Sequence, residues 1–172
     1  MHRDLQSLES ERLVLAPLSD EHFPALAEIN GNADVMRYIG GGRPQTLEES
    51  QAMIDRVKLR WQEHGYSWWA LLRKTDGLMV GAAVLQPIEG VTGATPEIGW
   101  RLRPDCQGQG YATEVARRIV DWARELGMPE LLAVAHPDNS ASRAVMERLG
   151  MQFRGIETHY KVPCATYVLK LR

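Results

Sequence analysis

The stretch that constrains this chain most runs from Pro96 to Leu126. A strand-like run, Pro96–Leu102 (PEIGWRL), leads through the loop Arg103–Gly110 into a helix, Tyr111–Leu126. Ala112, Val115, Ala116, Ile119, Val120, Trp122, Ala123 and Leu126 lie on one stripe of that helix, a period of 3.6 over about four turns. Gly127 caps it and Pro129 forbids continuation. Within the loop, Cys106–Thr113 reads CQGQGYAT, and Gly108 and Gly110 present no side chain, so backbone N–H groups can approach a ligand closely. The helix adds its unsatisfied first-turn N–H groups and a dipole end worth about +0.5 charge. Together these make an anion site suited to a phosphate or pyrophosphate. The same letters also describe a βα turn that binds nothing.

Two known phosphate motifs do not fit. A nucleotide P-loop ends in Gly-Lys-Ser/Thr, and this loop has no lysine. The dinucleotide fingerprint needs a third glycine, where Thr113 stands, and an acidic residue about 20 positions on. Glu130 has that spacing but precedes its strand instead of ending it.

The rest of the chain reads as one mixed α/β domain in the order β-α-α-β-β-β-α-β-α-β-β. Glu11–Pro17 is the first strand. Ser19 opens a helix with Glu21 and His22 in its first turn and an apolar face of Phe23, Leu26 and Ala27, with Asn30 at its end. Three glycines after Ile39 make a loop. Thr46 and Glu49 form a capping box for a helix through Ala52, Met53, Val57 and Trp61, stopped by Gly65 after His64. Trp68–Arg73 and Leu78–Pro87 flank Asp76-Gly77, a strong hairpin signal. Leu131–Ala135 (LLAVA) resembles a strand covered on both faces. Ser140–Leu149 is a helix capped by Asp138 or Asn139 and closed by Gly150. Met151–Glu157 and Thr166–Leu171 supply the last strands.

Composition narrows the function. A chain of 172 residues with 44% apolar content can build a core without staples. A net charge of −2 argues against a polyanion binder. Arg117, Arg118 and Arg124 on one helix are the sole hint of a basic face, and a solvated surface explains them. The two cysteines, Cys106 and Cys164, are far apart, which excludes a disulfide framework and a cysteine zinc site and fits a reducing cytosol. The five histidines show no H-x-x-x-H spacing, so no metal site is expected. No apolar run approaches the ~20 residues of a membrane span. The N-terminal MHRDLQSLESERL lacks the apolar stretch of a signal peptide. The expectation is a cytoplasmic protein.

A third phosphate pattern fits. Gln107-x-x-Gly110-x-Ala112, after a strand and before an amphipathic helix, resembles the acetyl-CoA pyrophosphate loop of the GNAT superfamily of N-acetyltransferases. Glu11–Leu15 (ERLVL), Trp68–Ala70 (WWA), Glu97–Trp100 (EIGW) and His136–Ser142 (HPDNSAS), followed by Leu149–Met151 (LGM), are similar to the branch that includes ribosomal-protein N-terminal acetyltransferases. The resemblance covers most of the chain. It implies a single GNAT-like domain over 1–172, with a mixed, mostly antiparallel sheet flanked by about four helices. Two parallel strands, Pro96–Leu102 and Leu131–Ala135, would splay into a V.

The resemblance also implies roles. Acetyl-CoA would lie in the V. The backbone of Trp100, Arg101 and Leu102 would pair with its pantetheine arm, and donors across Gln107, Gly108, Gln109, Gly110, Tyr111, Ala112 and Thr113 would hold its pyrophosphate. Asn139 and Ser142 start the next helix. Asn139 is suited to the pantetheine amides, although capping explains both residues as well. The acceptor is an amine, either a protein N-terminus or a small molecule. An α-amine, with pKa near 8, is about one-tenth neutral at pH 7, and a lysine under one-thousandth, so the base has up to ~3 kcal/mol less to supply for the former. Glu97 is the candidate base, against an alternative in which it pairs with Arg101 or Arg103. Relatives place a tyrosine proton donor where this chain has Met146. Ser142 or water would then protonate the leaving thiolate, a step worth about 2 kcal/mol at most. Met146 also suggests the alternative of a cofactor-binding module with weak or no catalysis. Tyr38, Trp68 and Trp69 are candidates to wall the acceptor pocket, and Arg43 to meet an acidic acceptor. Cys106 reads as filler more readily than as a thiol activated by the helix N-terminus. Neither nucleic acid nor membrane is expected as a partner. A homodimer stays open, because relatives are often dimers.

Overall fold

The computed structural model describes residues 5–172. One eight-stranded sheet runs through the molecule in the order β1-β2-β3-β4-β5-β6-β8-β7. The strands are β1 (Leu8–Glu9), β2 (Leu13–Pro17), β3 (Trp68–Arg73), β4 (Met79–Pro87), β5 (Pro96–Leu102), β6 (Glu130–Ala135), β7 (Gln152–His159) and β8 (Val162–Lys170). The helices are α1 (Phe23–Asn30), α2 (Ala33–Met36), α3 (Leu47–His64), α4 (Tyr111–Glu125) and α5 (Ser140–Arg148). Every strand pair is antiparallel except β5 and β6.

That parallel pair is the feature that positions the site. β5 pairs with β4 along its whole length, from Gly81 opposite Leu102 to Pro87 opposite Pro96. β6 pairs with β8 from Glu130 to Ala135. Between β5 and β6 only Glu97 and Leu132 are in register. Past that point the two strands part toward Leu102 and Ala135. Each keeps one edge of backbone N–H and C=O groups unpaired by the other, an arrangement that strands normally avoid.

Local chemistry explains most of the elements. Thr46 Oγ1 accepts from the Glu49 N–H at 3.1 Å, Glu49 Oε1 accepts from the Thr46 N–H at 3.2 Å, and Gly65 ends α3 at φ +78. At α5 the cap is Asn139, whose Oδ1 accepts from the Ser142 N–H at 3.2 Å. Strand alternation puts Trp69, Ala83 and Trp100 on the face of the sheet covered by α4, where the Trp69 ring meets Trp122 at 5.5 Å. Trp68, Val84, Gly99, Glu97 and Arg101 lie on the opposite face, where Arg101 reaches Asn30 of α1 and Met36 of α2. Trp61, Trp69 and Tyr167 are among the largest fully buried side chains.

Several elements depart from expectation. The expected first strand forms β2, starting at Leu13, and a two-residue strand, β1, is added before it at Leu8–Glu9. A single turn at Asp20–His22 precedes α1, and the Ser19 N–H donates to His22 Nδ1 at 3.0 Å. Helix α2 is additional, capped by Asn32, whose Oδ1 takes the N–H groups of Asp34 and Val35. β7 and β8 extend past their predicted ends to meet in a two-residue turn at Tyr160 and Lys161, with φ of +53 and +64. No described helix is long and apolar enough to cross a membrane. Among the described residues no cluster of three or more His, Cys, Asp or Glu is arranged to hold a metal ion.

Candidate active site

Three structural pieces meet around the splay of β5 and β6. The first is the loop Arg103–Gly110. Gly108 and Gly110 take φ of +75 and +83, left-handed values that L side chains rarely adopt, so both positions need glycine. A Cβ on Gly108 would have nothing within 4 Å, so the loop stands open there. Gly110 caps α4, and the helix's first hydrogen bond onto it comes from the Glu114 N–H. The N–H groups of Tyr111, Ala112 and Thr113 therefore have no carbonyl of their own helix to meet. The side chains of Gln107 and Gln109 fold back onto the loop, donating to Leu102 O (3.3 Å) and Asp105 O (3.1 Å).

Arg12 stiffens this corner. Its guanidinium lies 4.2 Å from the Tyr111 ring centroid, and its Nη2 is 3.4 Å from where a Gly110 Cβ would be. Glu114 in the first turn of α4 accepts from Ser10 Oγ (2.6 Å), Arg12 N–H (2.9 Å) and Arg12 Nε (2.7 Å). Burial alone would raise the Glu114 pKa, but these donors outweigh it and hold the group below its ordinary value. A groove of about 430 Å³ continues from Gly110 and Thr113 past Arg117 and Arg118. Arg118 donates to Glu9 O and Arg124 pairs with Asp121, so two of the three helix arginines are tied into the surface.

The second piece is Glu97, at the apex of the V and only 5% exposed. Its Oε1 accepts from Gln86 Nε2 at 3.0 Å and from the Tyr160 hydroxyl. Burial raises the Glu97 pKa, against the pull of those two donors. Tyr160 reaches across from the β7–β8 turn. Its hydroxyl also accepts from Gln86 Nε2 (3.2 Å) and the Glu89 N–H (3.1 Å), and its own N–H donates to Glu89 Oε1. Burial and the Glu97 charge push the Tyr160 pKa up. Arg60 Nη1 completes the chain by donating to Gln86 Oε1 at 3.1 Å. The alternative of Glu97 paired with an arginine is not what the structure holds: Arg103 meets Asp105 and Glu28, and Arg101 meets Asn30.

The third piece is the mouth. Trp68 lies under the Arg101 guanidinium at 4.8 Å, and the Tyr38 ring meets His136 at 5.0 Å, bridging from the loop after α2 to the end of β6. Asn139 and the half-buried Ser142 stand just beyond. Trp69 is not part of this wall; it is fully buried between Trp61 and Trp122 and belongs to the core. Met146, 2% exposed, is also core. Arg43 is occupied by a two-pronged pair with Glu49, at 2.9 Å on each prong. Cys106 is 1% exposed and burial raises its thiol pKa, the opposite of activation by the helix end. Tyr160 escaped sequence reasoning, because nothing local says that a turn residue after β7 reaches a strand 63 positions earlier.

Two positive-φ glycines, one of them facing open space, a helix N-terminus beside them and two one-sided parallel strands fit a long ligand with a phosphorylated end and an amide-bearing arm. The comparisons agree with that class. The family model "Acetyltransferase (GNAT) domain" matches residues 12–152, and the chain belongs to this family of acetyltransferases. It is 34% identical to the FsC-acetyl coenzyme A-N(2)-transacetylase of Aspergillus fumigatus, over 84% of this chain and 64% of that protein. A crystal structure of an acetyltransferase from Agrobacterium tumefaciens superposes with a TM-score of 0.82 at 25% identity, covering 98% of this chain and 96% of the other. The fold is also that of RimL, a ribosomal L7/L12 alpha-N-protein acetyltransferase solved with coenzyme A (TM-score 0.75, 19% identity, 96% and 98% covered).

Proposed function

We propose that this protein transfers an acetyl group from acetyl-CoA to a primary amine by direct attack, with Glu97 as the base. The observation that carries the reading is a carboxylate buried at the apex of the V, with a raised pKa, directly where β5 leaves β6. The pyrophosphate rests on the N–H groups between Gln107 and Thr113. The backbone from Trp100 to Leu102 runs alongside the pantetheine arm, and Asn139 contributes at its far side. Asn139 Oδ1 is engaged by the Ser142 N–H, so the side-chain nitrogen is the atom offered to the cofactor.

Acetyl-CoA supplies the activated acyl group; the chain supplies position and proton transfer. Glu97 Oε1 already holds two donors, and Oε2 is the atom that takes the proton from the amine, directly or through one water. A carboxyl held above its ordinary pKa is a stronger base when ionised, which suits an ammonium of pKa near 8. RimL is an alpha-N-protein acetyltransferase, which supports an α-amine as acceptor. Ser142 gives the leaving thiolate its proton. Trp68 and Tyr38 flank the acceptor.

Glu97→Gln tests this reading against a binding module without catalysis. Acetyl-dependent release of free thiol with α-amino peptides should fall about a hundredfold or more, while acetyl-CoA binding by calorimetry persists. Wild-type turnover in the variant would remove Glu97 from the chemistry.

A further inference from the structure

We propose that the Arg101 side chain anchors a carboxylate carried by the acceptor, so that the acceptor is an amine bearing an acidic group. This rests on the transferase reading and narrows its substrate class. Arg101 follows Glu97 by four residues on β5 and shares its face, which separates their Cα atoms by roughly 13 Å. An acceptor with its amine at Glu97 would lie along the strand toward Arg101.

The guanidinium is a half-buried cation with no carboxylate partner among the described residues. Nη1 donates to Asn30 Oδ1 at 2.8 Å and faces Met36 Sδ at 3.8 Å, and the Trp68 ring lies beneath it. Nε is buried with no hydrogen-bond partner. Among the described residues no carboxylate lies within 4.0 Å of Arg101, whereas Arg12 and Arg73 are each paired with one and Arg103 with two. Burial lowers the Arg101 pKa to about 10, so the group is still charged at neutral pH. A charge taken partly out of water without a counter-ion is costly, and an amide and a thioether supply no negative charge. Nε lies on the edge of the guanidinium that, together with Nη2, pairs side-on with a planar carboxylate. A carboxylate there would accept the orphaned Nε–H and neutralise the cation. A purely structural tie from β5 to α1 would explain the Asn30 contact but would leave Nε and the charge unanswered.

The test uses the whole protein saturated with CoA. Its Arg101 Nε–H resonance is assigned by its loss in Arg101→Lys. Titration with glycylglycine, with glutamylglycinamide and with glycylglycinamide offers a terminal carboxylate, a side-chain carboxylate and none. A saturable shift with a carboxylate-bearing dipeptide and not with glycylglycinamide is expected, and the dipeptide that acts identifies the source. No shift with either acid at millimolar concentration overturns the proposal and leaves the transferase reading intact. Failure of CoA itself to bind removes both. In turnover, the kcat/KM ratio of acid to amide should be about tenfold in the wild type, carried by KM, as expected for one charge-assisted contact. That ratio should approach one in Arg101→Gln, whatever general activity the variant loses. A ratio that survives the substitution contradicts the anchor.

Discussion

Glu97 titrates under two opposed influences. Burial raises its pKa, and donors from Gln86 and Tyr160 restrain the rise. The base proposed here must be ionised to act, so the rate should climb as pH passes through that raised value. Tyr160→Phe removes one donor to the charged form and leaves burial less opposed. The acidic limb of the kcat/KM profile should therefore move to higher pH, and a limb that stays in place or moves down would show that the hydroxyl does not set the Glu97 pKa. The resemblance drew attention to Glu97, and the structure places it opposite Leu132 on the parallel neighbour. Its partners were not readable. Gln86 arrives through the β4–β5 register and Tyr160 through a hairpin more than 60 residues away. Trp69 shows the same limit from the other side. Adjacent tryptophans must face opposite ways, but only the helices above the sheet decide which becomes core.

The β7–β8 turn carries unusual strain. Tyr160 and Lys161 both hold left-handed φ, the geometry of a two-residue hairpin that ordinarily uses Asn-Gly. Glu89, the other non-glycine at positive φ among the described residues, is the residue that clasps Tyr160. Backbone strain of this kind persists where surrounding contacts over-determine it, and here those contacts hold the Tyr160 hydroxyl on Glu97. Lys161→Gly relieves one strained position without touching Tyr160. It should stabilise the protein by about 1 kcal/mol, read as a higher midpoint in denaturant; a lower midpoint would mean the turn is not strained at Lys161. The turn's lack of glycine or asparagine is also why the ends of β7 and β8 were invisible in the sequence, whereas Asp76-Gly77 and the Thr46–Glu49 capping box announced their elements locally. Helix α2, four residues long, has no periodicity to detect, and its Asn32 cap is seen only in the structure.

At the scale of the molecule, a continuous sheet gives up pairing at one place. β5 and β6 are each fully paired on their outer sides and share one register position between them. β5, the glycine loop and α4 follow one another in the chain from Pro96 to Glu125, and β6 comes next at Glu130, so the segment that would hold the proposed cofactor was legible as nearly contiguous sequence. The proposed acceptor half would be assembled from α1, α2, β3 and β7–β8, and loop composition carries no readable substrate code. The central claim is that the loop and splay bind acetyl-CoA. Calorimetry on the wild type and on Gly110→Glu tests it most directly, since glutamate there adds bulk and negative charge at a position held at φ +83. Micromolar binding by the wild type, lost in a variant that still unfolds cooperatively, is the predicted result. A folded wild-type protein that does not bind acetyl-CoA would contradict the account and leave the glycine loop as a structural turn.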